Sequence, residues 1–190
     1  MSPDYPFGYY RAMPRTPLAD FEPALKKRLE ELWGTPPNLY HCLANHPRLI
    51  EAWSDFSKAL RHDTRTPRAL RELVILRGAQ LMRSEYEWAQ HLKMARKAGV
   101  REAQIAALAS WKSSAEFDAK EKAALLLAEA VTHGKVSDEV YAEAMRHFDH
   151  HDYVELSITA AFYAMVGRML DAMGVQLEAD VKNYSPKLPT

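Results

Sequence analysis

Cysteine is nearly missing from this 190-residue chain: Cys42 stands alone, so no disulfide can form within it. Net charge is missing too. Twenty-five Lys and Arg balance 25 Asp and Glu, which removes any overall pull toward nucleic acid or an anionic membrane. No apolar run approaches the roughly twenty residues needed to span a bilayer, and no N-terminal stretch has the pattern of a secretory signal. A soluble cytoplasmic protein without nucleic-acid or membrane partners is therefore expected. Two-residue alternation bounded by hairpin turns is also lacking, which argues against strands.

What is present is helical periodicity over a length that suits one domain with its own core. Residues 1–19 mix Pro3, Pro6, Pro14 and Pro17 with Tyr5, Phe7, Tyr9 and Tyr10 and read as an arm lying on this subunit or a neighbour. Residues 20–178 form the helical domain, and 179–190 a tail. Leu25, Leu29, Leu32 and Trp33 make a first apolar stripe, stopped by Gly34 and two prolines. The segments NLYHCLANH, PRLIEAWSDFSKALRH, VREAQIAALAS, KAALLLAEAVTHG, SDEVYAEAMRHF and DYVELSITAAFYAMVGRMLDAMG continue the pattern. Thr66 is the expected N-cap of the helix carrying Glu72, and the pairs Asp118/Glu121 and Asp152/Glu155 have capping-box spacing. Roughly eight or nine helices result. Ala160, Ala161, Ala164 and Gly167 suit the last helix to close packing, in the core or against another subunit.

The chemistry gathers between residues 65 and 99. Ser84, Glu87 and His91, spaced three and then four apart, share one helix face, and Glu72 lies twelve residues before Ser84 among Leu70, Leu73 and Val74. An imidazole serves as acid or base near neutrality, and a carboxylate beside it fixes its tautomer or shuttles the proton. Glu87 and His91 also have the spacing of an ordinary surface i,i+4 pair. Trp88 and Leu92, flanking the same side, argue for an apolar border instead.

ELVIL at 72–76, SEYEWAQH at 84–91 and the Gly99-Val100 turn resemble the carboxymuconolactone decarboxylase family, as do PPNLYHCLANHPRLIEAW at 36–53 and FYAMVGRMLDAMGVQLE at 162–178. The resemblance implies an all-α, AhpD-like fold, assembled as an intertwined dimer, trimer or hexamer. In the peroxidase branch of that superfamily a C-x-x-C pair precedes the histidine by seven and four residues, with a glutamate twelve before the first cysteine. Those positions are Ser84, Glu87, His91 and Glu72 here, so both thiols are absent, which makes AhpD-type peroxidase activity the least favoured reading. The decarboxylase branch implies a cofactor-free lyase acting on a small carboxylated lactone or oxo acid, with catalytic His91, Glu72 and Glu87. Ser84, Tyr86, Trp88, Arg77 and Arg168 are the candidate substrate-binding residues. A non-catalytic ligand-binding or structural oligomer on the same scaffold is the alternative. His147, His150 and His151 with Asp149 and Asp152 lack a recognised ligand spacing and read as a solvated helix junction, so no metal is expected.

Overall fold

The computed structural model describes residues 14–182 and residue 188. Ten α-helices follow in order: α1 (Pro23–Trp33), α2 (Asn38–Leu43), α3 (Pro47–His62), α4 (Arg68–Met82), α5 (Glu85–Lys97), α6 (Glu102–Ala107), α7 (Ala119–Thr132), α8 (Asp138–Met145), α9 (His150–Met173) and α10 (Ala179–Lys182). A 3-10 turn at Leu108–Ser110 follows α6, and the described residues contain no strand. The all-α expectation holds. The helix beyond the nine expected is α10, in the tail.

The fold is built around α4, which buries every residue from Leu70 to Ile75 as well as Leu76, Gly78 and Ala79. Each of its sides feeds a different apolar cluster. Ile75 joins α1, α2, α3 and α9 residues; Leu73 and Leu76 meet Trp88, Leu92 and Leu125; Leu70 and Val74 meet Ala124, Leu127, Phe148 and Leu156. A helix apolar nearly all round is buried all round, so any ionisable group on it must find its partners inside the protein.

Two of the expected caps are built differently. Pro67, not Thr66, is the N-cap residue of α4 and supplies no side-chain bond; Thr66 lies one residue earlier, where its hydroxyl donates to Glu155 Oε1. Glu155 Oε1 also accepts from the Thr66 amide at 2.8 Å, and Oε2 from the Arg65 amide at 2.9 Å. Glu155 is thus not half of a capping box for its own helix. The cap of α9 is Asp149, which accepts from the Asp152 amide at 3.0 Å. Sequence spacing could not distinguish these, because a carboxylate 89 residues away competes for the α4 start. The Asp118/Glu121 box on α7 is present in both directions, at 2.7 and 3.0 Å. Asp149 and Asp152 both accept from Arg65, so the acidic groups of the 147–152 cluster serve the junction with α4.

The α4–α5 link positions the site. Arg83 takes φ 52°, and its amide donates to Gln80 O while the Ser84 amide donates to Ala79 O at 2.9 Å. This is the Schellman closure. It is made here by an arginine in the left-handed region, which costs on the order of 1–2 kcal/mol relative to glycine. Ser84 then caps α5 by accepting from the Glu87 amide at 3.4 Å. Glu85 and Glu87 in the first turn and Arg96 and Lys97 in the last complement the helix dipole.

Helix α9 is both core and surface. Ala160, Ala164 and Gly167 are buried, and a Cβ on Gly167 would meet Ser84 Cβ at 3.6 Å, which is how closely α9 passes the α4–α5 link. Val154, Ile158 and Met165, on the other side, are 52%, 39% and 41% exposed. Among the described arm residues, the Arg15 and Thr16 amides donate to Met173 O, so this part of the arm lies on its own subunit. The expected arm residues 1–13 and tail residues 183–187, 189 and 190 lie outside the described residues. No helix among the described residues is long and apolar enough to cross a membrane.

Candidate active site

Antiparallel packing of α5 on α4 brings His91 against Glu72, with His91 Nδ1 donating to Glu72 Oε2 at 2.8 Å. Glu72 is wholly buried, and its other oxygen is held by Arg68, one helical turn before it. Across the ring, His91 Nε2 faces Glu87 Oε2 at 3.4 Å. Glu87 and His91 are themselves 4% and 2% exposed, so this is not the surface i,i+4 pair that the spacing alone allows. Tyr163 of α9 completes the enclosure, its ring edge-on to the imidazole with centroids 4.6 Å apart.

The two carboxyl groups are driven apart electrostatically. Burial pushes the Glu72 carboxyl up, but the imidazole and the Arg68 guanidinium outweigh it and hold the group below the usual carboxylate range. Burial also pushes Glu87 up. There the opposing pull of His91 and Arg61 is too weak to reverse the shift, and the negative Glu72 adds to it. One acid is thereby kept ionised and the other biased toward its protonated form, with an imidazole between them. With Nδ1–H committed to Glu72, the Nε2 lone pair is left for a proton from the Glu87 side. The line Arg68–Glu72–His91–Glu87 can store a proton at one end and stabilise the resulting positive charge from the other.

A pH dependence of stability follows with a defined sign. Because folding raises the Glu87 pKa, its contribution is fully present below the unfolded value near 4.5 and is lost as pH rises toward the folded value. Glu87→Gln is therefore expected to gain stability relative to the parent chain between pH 4 and 7. Urea midpoints for the two proteins at both pH values check this, and a difference that does not change with pH would contradict it.

The remaining candidates lie around or away from this line. Ser84 caps α5. Tyr86 donates its hydroxyl to Glu178 Oε1 at 2.8 Å, and Trp88 packs among Leu73, Leu92 and Ile105. Arg77 binds Glu129 at 2.6 Å and Gln80 at 2.9 Å, and Arg168 is exposed on the outer side of α9; neither is brought to His91. Sequence reasoning missed Arg68, although an arginine four residues before a glutamate on a helix is a readable signal. It also missed Tyr163 and Arg61, for which no local signal exists. Cys42 is buried, and burial raises its thiol pKa.

Two cavities lie elsewhere. One of about 430 Å³ is lined by Gln90, Lys93, Arg96 and Asp180 on the far side of α5, and one of about 380 Å³ by Leu25, Arg28 and Arg48 between α1 and α3. The chain-end segment is fastened beside the first by Glu178, which accepts from the Asn38 amide at 2.6 Å, from Gln90 at 2.6 Å and from Tyr86.

Residues 47–130 match the carboxymuconolactone decarboxylase family. The uncharacterized protein YdfG of Bacillus subtilis (strain 168) is 33% identical over 110 residues, 56% of this chain and 75% of that protein. Among solved structures, the AhpD core of an uncharacterized peroxidase-related protein from Ralstonia eutropha JMP134 has a TM-score of 0.76 at 19% identity, over 90% of this chain and 95% of that one. The debrominase Bmp8 in complex with 2,3,4-tribromopyrrole has a TM-score of 0.75 at 19% identity, over 88% and 95%. At such identities these two structures establish a common fold and no more. The segment matched to the family runs from α3 into α7 and holds Glu72, Glu87 and His91. This chain, with serine and glutamate at the two positions where the peroxidase branch has cysteines, belongs to the carboxymuconolactone decarboxylase family.

Proposed function

We propose that the chain is an acid/base lyase acting on a small carboxylated lactone or related oxo acid without a metal or organic cofactor. The observation that carries this reading is the buried line Glu72–His91–Glu87, an imidazole held between two carboxyl groups, one lowered by His91 and Arg68 and the other pushed up by burial. Loss of carbon dioxide from such a substrate sends the carbon–carbon bonding pair through the double bond onto the lactone carbonyl. The dienolate that forms then needs a hydrogen-bond donor at oxygen and a proton at carbon. The Glu87 carboxyl supplies the proton, directly or through His91 Nε2, while Glu72 stabilises the imidazolium in transit. Isomerisation or lactone opening would use the same groups.

A thiol peroxidase cycle needs two thiols, and this chain has one, buried. The positions of the two cavities, neither of them lined by His91, favour a second reading, a ligand-binding module on the same scaffold. Assembly with further copies of the chain, which the family resemblance implies, would cover Val154, Ile158 and Met165 of α9. A panel of carboxylated lactones and β-keto acids, followed by carbon dioxide release with and without chelator, tests the enzyme reading. Chelator-insensitive turnover of at least one member is expected. Binding without release across the panel would favour the second reading.

A further inference from the structure

Four helices bring a buried polar atom without a hydrogen bond to the surroundings of the Arg61 guanidinium. Trp33 Nε1 at the end of α1, Arg61 Nε near the end of α3, Glu87 Oε2 on α5 and the Tyr163 hydroxyl on α9 are all buried, and none makes a hydrogen bond. Arg61 joins them. Its guanidinium carbon sits 4.5 Å from the centroid of the Trp33 ring, and its charge acts on Tyr163, Tyr40 and Glu87. The guanidinium approaches the Tyr163 hydroxyl closely enough to interact, but not in hydrogen-bonding geometry.

Other arginines of this region have their counter-ions. Arg68 holds Glu72, Arg71 lies 3.5 Å from Glu155, and Arg77 and Arg65 have Glu129 and Asp152. Arg61 makes no ion pair among the described residues. Glu87 acts on the guanidinium from a distance but makes no ion pair with it, and burial pushes that carboxyl up. A desolvated guanidinium without an anion is costly to keep, and its planar fork is shaped for a carboxylate. Exposed His62 follows it in the chain, and Tyr163, on which its charge acts, packs edge-on against the imidazole.

We propose that Arg61, assisted by the Tyr163 hydroxyl, is the carboxylate-recognising residue of the His91 centre and sets its preference for small organic acids. The proposal deepens the lyase reading and rests on His91 being the reacting centre. The incoming carboxylate takes the bidentate face of the guanidinium and accepts from the tyrosine, satisfying donors that the protein leaves free. Recognition is of charge and planarity, so a neutral isostere is rejected because the buried cation would remain unpaired.

The test compares benzoate with neutral benzamide by calorimetric or NMR titration of the full chain. Benzoate is expected to bind about tenfold or more tightly than benzamide, the order expected of one charge-assisted bidentate contact. Arg61→Met removes the preference, Tyr163→Phe reduces it, and Arg61→Lys retains part of it because the charge stays while the fork is lost. The lysine variant also decides the matter should the methionine variant not fold: undiminished benzoate binding in Arg61→Lys, or in a folded Arg61→Met, overturns the assignment. Equal binding of the two probes by the parent chain overturns it too. His91→Asn separates this from the lyase reading. That variant is expected to keep the benzoate preference while losing turnover, so loss of preference there and not in Arg61→Met would place anion recognition at the imidazole.

Discussion

Turnover is expected to fall by about a hundredfold or more when His91 is replaced by Asn or Glu72 by Gln, in line with the usual contribution of one positioned acid/base group. Gln in place of Glu72 can still accept from His91 Nδ1 at the observed 2.8 Å, so the ring keeps its orientation and only the charge behind it is removed. Arg68, 30% exposed at its side chain, turns to solvent and carries its charge away at low cost. The two groups act as one unit, so the double variant should be no slower than the worse single one. Helical content measured by circular dichroism should be unchanged. Substantial activity in the double variant would end the assignment of this site.

A larger effect on stability is expected at a position that touches no substrate. Glu155→Ala removes the acceptor of the Arg65 and Thr66 amides and leaves the buried Arg71 guanidinium without its ion-pair partner. Breaking a buried pair from one side costs about 3–5 kcal/mol, which for a chain of this length lowers the melting temperature by roughly 10 °C. Replacing both partners, Glu155→Leu with Arg71→Met, should recover much of the loss, because no unpaired charge remains. A single alanine variant within about 1 kcal/mol of the parent would contradict this account of how α4 is started.

Much of the fold was legible because helix periodicity and stop signals are local. Gly34, Gly99, Gly134 and Gly174 all end helices with positive φ, and each stands where an apolar stripe runs out. The site was legible in part. Glu87 and His91 share a face by spacing alone, whereas the bond from His91 to a glutamate 19 residues earlier depends on how α4 and α5 dock. The resemblance and the apolar setting of Glu72 pointed there; no rule of spacing could. Arginines were the least readable residues. Arg77 and Arg68 are alike in sequence terms, yet one ends on Glu129 and the other on Glu72. Glu129 is brought in from α7 by tertiary packing, whereas Glu72 lies one turn along the same helix as Arg68.

The carboxylate at position 178 ties the chain's last segment to the middle of the molecule. Its three donors are the start of α2 and the side chains of Tyr86 and Gln90, each of which stands one residue before a member of the Glu87/His91 pair on α5. A change confined to position 178 would therefore loosen the helix that carries Glu87 and His91, altering their setting from a residue that bonds to neither.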